Sequence, residues 1–410
     1  MRSLYLLLLL VPALCAASPS RDTLPPSDYY TIRNGLIHSF HAITVTKSAT
    51  VAFLGGSITY NPGWRDKTCA FLREKFPATQ FHFIAAGIPS LGSLPHAFRL
   101  QRDVLDSGKV DLLFVETAVN DRVNGTDSLT QIRALEGIVR HAKKSNPAMD
   151  IIFMSFADPN KTSDYEQGKV PPEVANHEQV AGYYGFPSIN LAKEVHDKIA
   201  NKEFSWEKDF KDIHPSPFGQ DLYFAAIKDL LNACFDSSRM SSSLEGNSAM
   251  RAGSSIGSGK SLPAPLDKTS LANGIYYNIS NALYDNSWYY DTAWHPTDSL
   301  STRPGFVNVP MLVSTTPGAT VTLPFKGTAI GMAVISGADA GVVSYSLDEG
   351  PYQKIDLYTQ WSSFLHLPWY VLFGAGLRNT HHILKLRIEE EKSSQSKGTA
   401  CRIVYFLVNG

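Results

Sequence analysis

The 410-residue chain carries 37 Lys and Arg residues against 38 Asp and Glu residues, a formal net charge of −1 at pH 7. Hydrophobic residues make up 43% of the chain and charged residues 18%, as in ordinary globular proteins. A chain of this length can bury more than one hydrophobic core without disulfide support. The balanced charge gives no reason to expect nucleic acid as a partner.

The N-terminus has the pattern of a secretory signal peptide. Arg2 precedes an apolar run at residues 6–11, and small residues follow at 16–18. The apolar run is far shorter than the roughly 20 residues that a membrane span needs. We therefore predict a signal peptide at residues 1–17, a secreted or periplasmic protein, and no membrane span.

Between residues 18 and 235, a polar lead-in is followed by short apolar runs that alternate with stretches of helical spacing. The predicted strands are 51–54, 81–84, 110–119 and 151–156, and the predicted helices are 66–76, 98–105, 132–144, 189–199 and 219–234. This alternation is typical of a parallel sheet that is covered by helices on both faces. The first fold prediction is therefore an α/β domain.

The remaining chain divides into a linker and a second domain. Residues 236–264 are rich in Ser, Gly and Pro, which predicts a linker. Beyond residue 265 apolar and polar residues alternate, as in a strand at 342–347, a turn at 348–350 and a strand at 352–357. We predict an all-β, jelly-roll-like sandwich at 265–410 with either a carbohydrate-binding or a structural role. Its segment 361–369 is expected to pack as a loop beside the catalytic site.

Three blocks place chemically useful side chains at the ends of predicted elements. Ser57, in Gly-Gly-Ser-Ile-Thr, follows the first strand, where open α/β folds carry their active sites. Asn120, in Ala-Val-Asn-Asp, ends the third strand, and its amide can donate to a developing oxyanion. His214, in Asp-Ile-His-Pro-Ser, precedes the last helix and supplies an imidazole near a carboxylate. A nucleophile, a donor and a base in this order predict nucleophilic catalysis by serine.

A further block follows the second predicted strand at residues 85–93, Ala-Ala-Gly-Ile-Pro-Ser-Leu-Gly-Ser, and offers backbone N–H groups. Counting back from Phe98 places the oxyanion donor at Ser90, whereas residue type favours Gly92. Both positions stay open, because the donor is a backbone N–H in either case.

Together these blocks resemble the SGNH (GDSL-like) hydrolases over about residues 48–235. The resemblance implies a flavodoxin-like sheet and a Ser–His–Asp mechanism that needs no metal or cofactor. It also implies an oxyanion hole made by the Ser57 N–H, a backbone N–H of the second block and the Asn120 amide. Together with the C-terminal β domain, the chain resembles, more loosely, polysaccharide-processing acetylesterases.

One position departs from the family pattern. The family has Asp three residues before the His, and Lys211 stands there in this chain. Asp212, two residues before His214, would point to the same side of an extended loop and can orient the imidazole. Asp209 and a backbone carbonyl are the alternatives.

The function predicted from the sequence is a secreted serine esterase that works through an acyl-enzyme and removes O-acetyl groups from carbohydrate. The alternatives are a lipid or short-chain acyl esterase and a sugar-binding protein that has lost catalysis. The glycan, the acyl chain and the oligomeric state stay open. Glu116 lies at the end of an apolar run, so it is predicted to be buried and paired, with Arg65 and Arg99 as candidates.

Overall fold

The computed structural model describes residues 23–249 and 262–410, with the backbone alone for 240–249. The predicted signal peptide and residues 250–261 of the predicted linker lie outside this range. None of the helices in the described part of the chain is long and apolar enough to cross a membrane.

The α-helices of the described residues all belong to the first part of the chain. They are α1 (Ile37–His41), α2 (Ser57–Tyr60), α3 (Trp64–Lys75), α4 (Ser93–Asp103), α5 (Ala118–Val123), α6 (Ser128–Ser145), α7 (Pro159–Glu166), α8 (Pro172–Tyr184), α9 (Leu191–Ala200) and α10 (Pro217–Ala249). Short 3₁₀ or π turns lie at Pro26–Tyr29, Ala42–Thr46, Leu105–Ser107, Trp206–Phe210 and Ile279–Asn281.

The strands divide between two domains. The first domain has β1 (Tyr30–Thr31), β2 (Ser48–Gly55), β3 (Gln80–Gly87), β4 (Leu112–Glu116), β5 (Asp150–Ser155) and β6 (Ser188–Asn190). The second has β7 (Gly274–Tyr277), β8 (Leu283–Tyr284), β9 (Tyr289–Trp294), β10 (Ser301–Thr302), β11 (Val309–Ser314), β12 (Thr320–Ser336), β13 (Val342–Leu347), β14 (Gln353–Asp356), β15 (Leu365–Ile388) and β16 (Cys401–Asn409).

The first sheet has the strand order β1-β6-β5-β4-β2-β3. Its neighbouring strands are parallel except for the short β1, which runs antiparallel to β6. Apart from β1, this is the flavodoxin-like order, and the order of the strands reverses between β2 and β4. The predicted flavodoxin-like α/β fold is confirmed. The carboxyl ends of β2 and β4 therefore mark the crevice where such folds bind ligands.

Several element boundaries differ from the sequence prediction. β4 ends at Glu116, and Asn120 lies in α5 rather than at a strand end. Helices α7 and α8 were not predicted, because their apolar residues show little helical periodicity. Helix α10 continues to Ala249, into the range predicted to be linker.

The second domain is antiparallel apart from the short contact of β10 with β15 and an isolated parallel bridge between Ala340 and Ala400. Its long strands β12 and β15 pair along most of their length, with shifts in register near Gly327 and Gly331. Such bulges let a strand bend, so that one strand serves both faces of a curved sheet. The predicted β-sandwich class is confirmed.

The β domain packs against the α4 face of the first domain. Phe98 of α4 belongs to the same buried cluster as Phe306, Tyr370 and Leu407 of the β domain. The opposite face of the β domain has its own core, which includes Phe325. One contiguous apolar core therefore joins the two domains, as expected of a structural partner rather than a freely tethered module.

Candidate active site

Ser57 and His214 come together at the carboxyl edge of the sheet. Ser57 is the first residue of α2, directly after β2, and His214 lies in the exposed loop before α10. The distance from His214 Nε2 to Ser57 Oγ is 2.8 Å, a normal hydrogen bond. The fold brings the two side chains together although 157 positions separate them in the chain.

Asn120 lies against the backbone next to Ser57. A Cβ atom at Gly56 would overlap Asn120 Nδ2, so only glycine allows this close approach. The Asn120 side chain is buried, and its residue is 6% exposed. The Ser57 N–H opens the first turn of α2, where backbone donors have no acceptor within the helix. Two N–H donors therefore lie on or beside the backbone of Gly56 and Ser57.

The second block reaches the same point. The Leu91 carbonyl oxygen lies 3.6 Å from the place that a Cβ atom of Gly56 would occupy. A Cβ atom at Gly92 would overlap Asp121 Oδ1, next to Asn120 in the chain. Ser90 has a φ of +71°, in the left-handed region, and its carbonyl accepts a 2.9 Å hydrogen bond from Asn124 Nδ2. The block that carries the two candidate donors therefore adjoins Ser57 and Asn120.

Asp121 links these two blocks, a role that the sequence analysis did not assign. Its Oδ1 accepts hydrogen bonds from the Ser93 N–H at 2.8 Å and the Ser93 hydroxyl at 2.9 Å. Its Oδ2 accepts a 2.8 Å hydrogen bond from the Thr117 hydroxyl. Burial raises the pKa of Asp121 to about 6, although these hydrogen bonds oppose the shift. The adjacency of Asp121 to Asn120 was the only sequence signal for it.

Asp212 was expected to contact the imidazole ring of His214, but it contacts the backbone of this residue instead. Its Oδ1 accepts a hydrogen bond from the His214 backbone N–H, at 3.3 Å. Among the side chains described, those of residues 23–239 and 262–410, no carboxylate oxygen lies within 4.0 Å of a His214 ring nitrogen. Asp209 instead accepts from the Ser205 N–H at 2.8 Å. Lys211, with a φ of +80°, turns the chain out of the extended form on which the prediction depended.

Glu116 is buried as predicted, but its predicted partners are wrong. It accepts a 3.2 Å hydrogen bond from the Val119 N–H. Burial raises the pKa of Glu116 to about 7, and the nearby charge of Lys161 opposes the shift. Arg99 pairs with Asp103 at 2.7 Å, and Arg65 donates to the Thr59 carbonyl at 2.9 Å.

Replacing Glu116 by glutamine is expected to change stability in a pH-dependent way. The folded-state pKa of about 7 lies above the ordinary 4.5, so this carboxyl lowers stability as the pH rises from 4.5 to 7. Glutamine keeps an oxygen for the Val119 N–H and removes the charge. We expect Glu116→Gln to raise the unfolding free energy above pH 7 by up to about 3 kcal/mol, with no gain near pH 4.

The measurement is the melting temperature across this pH range. Glu74→Gln, at an exposed helix position, serves as the matched control and is expected to show no such difference. An equal effect of Glu116→Gln at both ends of the range would contradict the raised pKa.

In the part of the chain that the structure describes, no three His, Cys, Asp or Glu side chains are grouped so that they could hold a metal ion.

Residues 53–222 match the model of the GDSL-like Lipase/Acylhydrolase family. The matched range contains Ser57, Asn120 and His214 together with the sheet that positions them. Residues 53–222 therefore match a GDSL-like lipase/acylhydrolase domain.

Two similar solved structures contain both domains. One is a two-domain esterase (CEX) active on acetylated mannans, co-crystallized with mannopentaose, with 18% identity and a TM-score of 0.73 over 94% of this chain and 98% of that chain. The other is a structure of a two-domain esterase (CEX) active on acetylated mannans, with 17% identity and a TM-score of 0.70 over the same shares. At these identities the likeness shows the fold. A comparison with curated proteins gave no match.

Proposed function

We propose that the protein is a serine esterase in which Ser57 is the nucleophile and His214 is its general base. The observation that carries this proposal is the 2.8 Å hydrogen bond between Ser57 Oγ and His214 Nε2. A hydroxyl is a weak nucleophile at neutral pH, and a base within hydrogen-bond reach activates it.

The proposed reaction proceeds through an acyl-enzyme. His214 Nε2 takes the proton from Ser57 Oγ as the oxygen attacks the ester carbonyl, and His214 then protonates the leaving alcohol. Water repeats the sequence and releases the acid. In the role of base Nε2 has no proton, so Nδ1 carries one. Asp212 remains our candidate to accept that proton's hydrogen bond, because its Oδ1 already accepts from the His214 backbone N–H.

The oxyanion hole in this proposal has three donors: the Ser57 N–H, the Asn120 amide and a backbone N–H of the second block. Gly92 is the better candidate for the third donor, because it adjoins Asp121 and lacks a side chain in the crowded space beside it. Ser90 is the alternative. Such donors act on the charge that develops in the transition state.

We further propose that the substrate is a carbohydrate ester, with acetyl as the group removed. His214 is exposed and Ser57 is half-buried, so a large polar leaving group can reach them. A cleft of about 280 Å³ opens beside Ser90, and its lining includes Asn124, Asp127 and the half-buried Trp369. An aromatic side chain together with polar groups suits a sugar ring. The two-domain fold shared with the mannan-acting esterases is consistent with this substrate class.

Residues 361–369 are placed differently from the predicted loop. Strand β15 begins at Leu365, and Pro368 and Trp369 line the cleft beside Ser90.

The proposed secretion rests on residues 1–17 of the sequence. A lipid or short-chain acyl esterase is the alternative activity, and an inactive sugar-binding protein is the alternative from another class.

Chain-length and polymer assays separate these functions. We expect hydrolysis of p-nitrophenyl acetate to exceed that of the butyrate and octanoate esters, because acetyl is the group that the proposed enzyme removes. We also expect acetate release from acetylated mannan or acetylated xylan. Octanoate as the best ester, with no acetate released from either polymer, would favour the lipid esterase. Sugar binding without hydrolysis of any ester would favour the inactive protein.

A further inference from the structure

The β domain places one charged side chain on the second block of the catalytic domain. Arg303, which follows β10, donates to Ser90 Oγ through Nε at 3.0 Å and through Nη2 at 2.8 Å. In the described parts of the chain, no carboxylate oxygen lies within 4.0 Å of this guanidinium. Ser90 is thus the neutral partner of a half-buried cation that has no counter-ion.

The residue that Arg303 holds has an unusual backbone. Ser90 has a φ of +71°, which costs a residue with a side chain about 1–2 kcal/mol, so this backbone persists only where its surroundings enforce it. Arg303 holds the hydroxyl of Ser90, and Asn124 holds its carbonyl at 2.9 Å. Two residues later come Gly92 and Ser93, which lie against Asp121. The conformation at Ser90 therefore sets where the backbone at Gly92 points.

The fold fixes Arg303 from its own side as well. Thr302 pairs with His366 of β15, and His366 Nε2 lies 2.9 Å from Asp298 Oδ1. Phe306 is fully buried in the core between the domains, and its N–H donates to the Arg303 carbonyl at 3.2 Å. Arg303 is thus anchored on both sides rather than being a mobile surface side chain.

We propose that Arg303 is a positioning residue for the oxyanion hole, so that the active site is complete only when the β domain is docked on the catalytic domain. The proposal rests on the esterase function proposed above. Arg303 acts through Ser90 Oγ, and the second-block N–H is the group that it aligns. A purely structural clamp between domains would affect stability but not the turnover of the folded protein.

The test compares full-length variants that break the contact from either side. Arg303→Met removes the guanidinium, Ser90→Ala removes the hydroxyl but keeps the backbone N–H, and Arg303→Met/Ser90→Ala combines them. With p-nitrophenyl acetate we expect each single variant to lower kcat by about 10- to 100-fold with KM changed by less than about twofold, because misalignment affects the transition state. Arg303→Lys is expected to recover part of kcat, since Lys donates without the planar fork.

The double variant decides whether the two residues act as a unit. We expect its kcat to be no lower than the kcat of the less active single variant, because both changes remove the same contact. Arg387→Met, at an exposed arginine that pairs with Glu389, is the matched control and should keep full activity. An unchanged kcat in folded Arg303→Met would overturn this inference. So would a loss of kcat in the double variant that equals the product of the two single losses. In both cases an active wild-type protein would still support the proposed esterase. An inactive wild-type chain would instead overturn the proposed function.

Discussion

Replacement of Ser57 by alanine is expected to reduce kcat for p-nitrophenyl acetate by at least about 10⁴-fold, because no acyl-enzyme can form. Residual hydrolysis would come from the oxyanion donors acting on bound substrate and attacking water. The melting temperature should stay close to that of the wild type, because Ser57 is half-buried and its hydroxyl hydrogen-bonds to His214 alone among the described residues.

The matched control for this variant is Ser287→Ala, which removes an exposed hydroxyl in the β domain. It is expected to leave kcat and KM unchanged. Ser57→Ala with more than about a tenth of the wild-type kcat would contradict the assignment of the nucleophile, since loss of a catalytic serine removes several powers of ten.

Replacement of Asn120 by alanine is expected to have the second largest effect, a loss of about 100- to 1,000-fold in kcat. The Asn120 amide is buried beside Gly56, next to the nucleophile, and alanine at this position has no side-chain donor. KM should change little, because the amide stabilises charge that appears only in the transition state. Steady-state kinetics with the acetate ester measure both constants.

Asn120→Asp sharpens this test because it keeps the shape of the side chain and replaces a donor by a carboxylate oxygen. We expect Asn120→Asp to be at least as inactive as Asn120→Ala, since a negative charge repels the oxyanion. Asn273→Ala, at a surface asparagine that contacts Lys144, is the control and should retain full activity. An active Asn120→Asp enzyme would exclude Asn120 as a donor.

The sheet and the positions of Ser57, Asn120 and His214 could be predicted because they depend on local patterns. Apolar runs of strand length end at Gly55 and Glu116, and parallel strands bring their carboxyl ends to one edge. Ser57 and Asn120 therefore meet even though α5 was predicted as part of a strand. The β class of the second domain followed from alternation in the same way.

The side-chain partners could not be predicted, because they depend on loop conformation and on distant segments. The orientation of Asp212 follows from the left-handed turn at Lys211, for which a lysine gives no signal. Glu116 lies near Lys161 because α7 follows β5, and α7 was not predicted. The contact of Arg303 with Ser90 joins residues 213 positions apart in two domains, with no local pattern that links them.

Covalent labelling tests the central claim, that Ser57 is a nucleophile activated by His214, most directly. A fluorophosphonate reacts with an activated serine hydroxyl and leaves a stable phosphonyl ester. We predict one label per chain, located on Ser57 by peptide mass spectrometry, with hydrolysis of the acetate ester lost in proportion to labelling. His214→Ala should label far more slowly. Loss of activity with the label on another residue, or full activity in chains labelled at Ser57, would contradict the assignment.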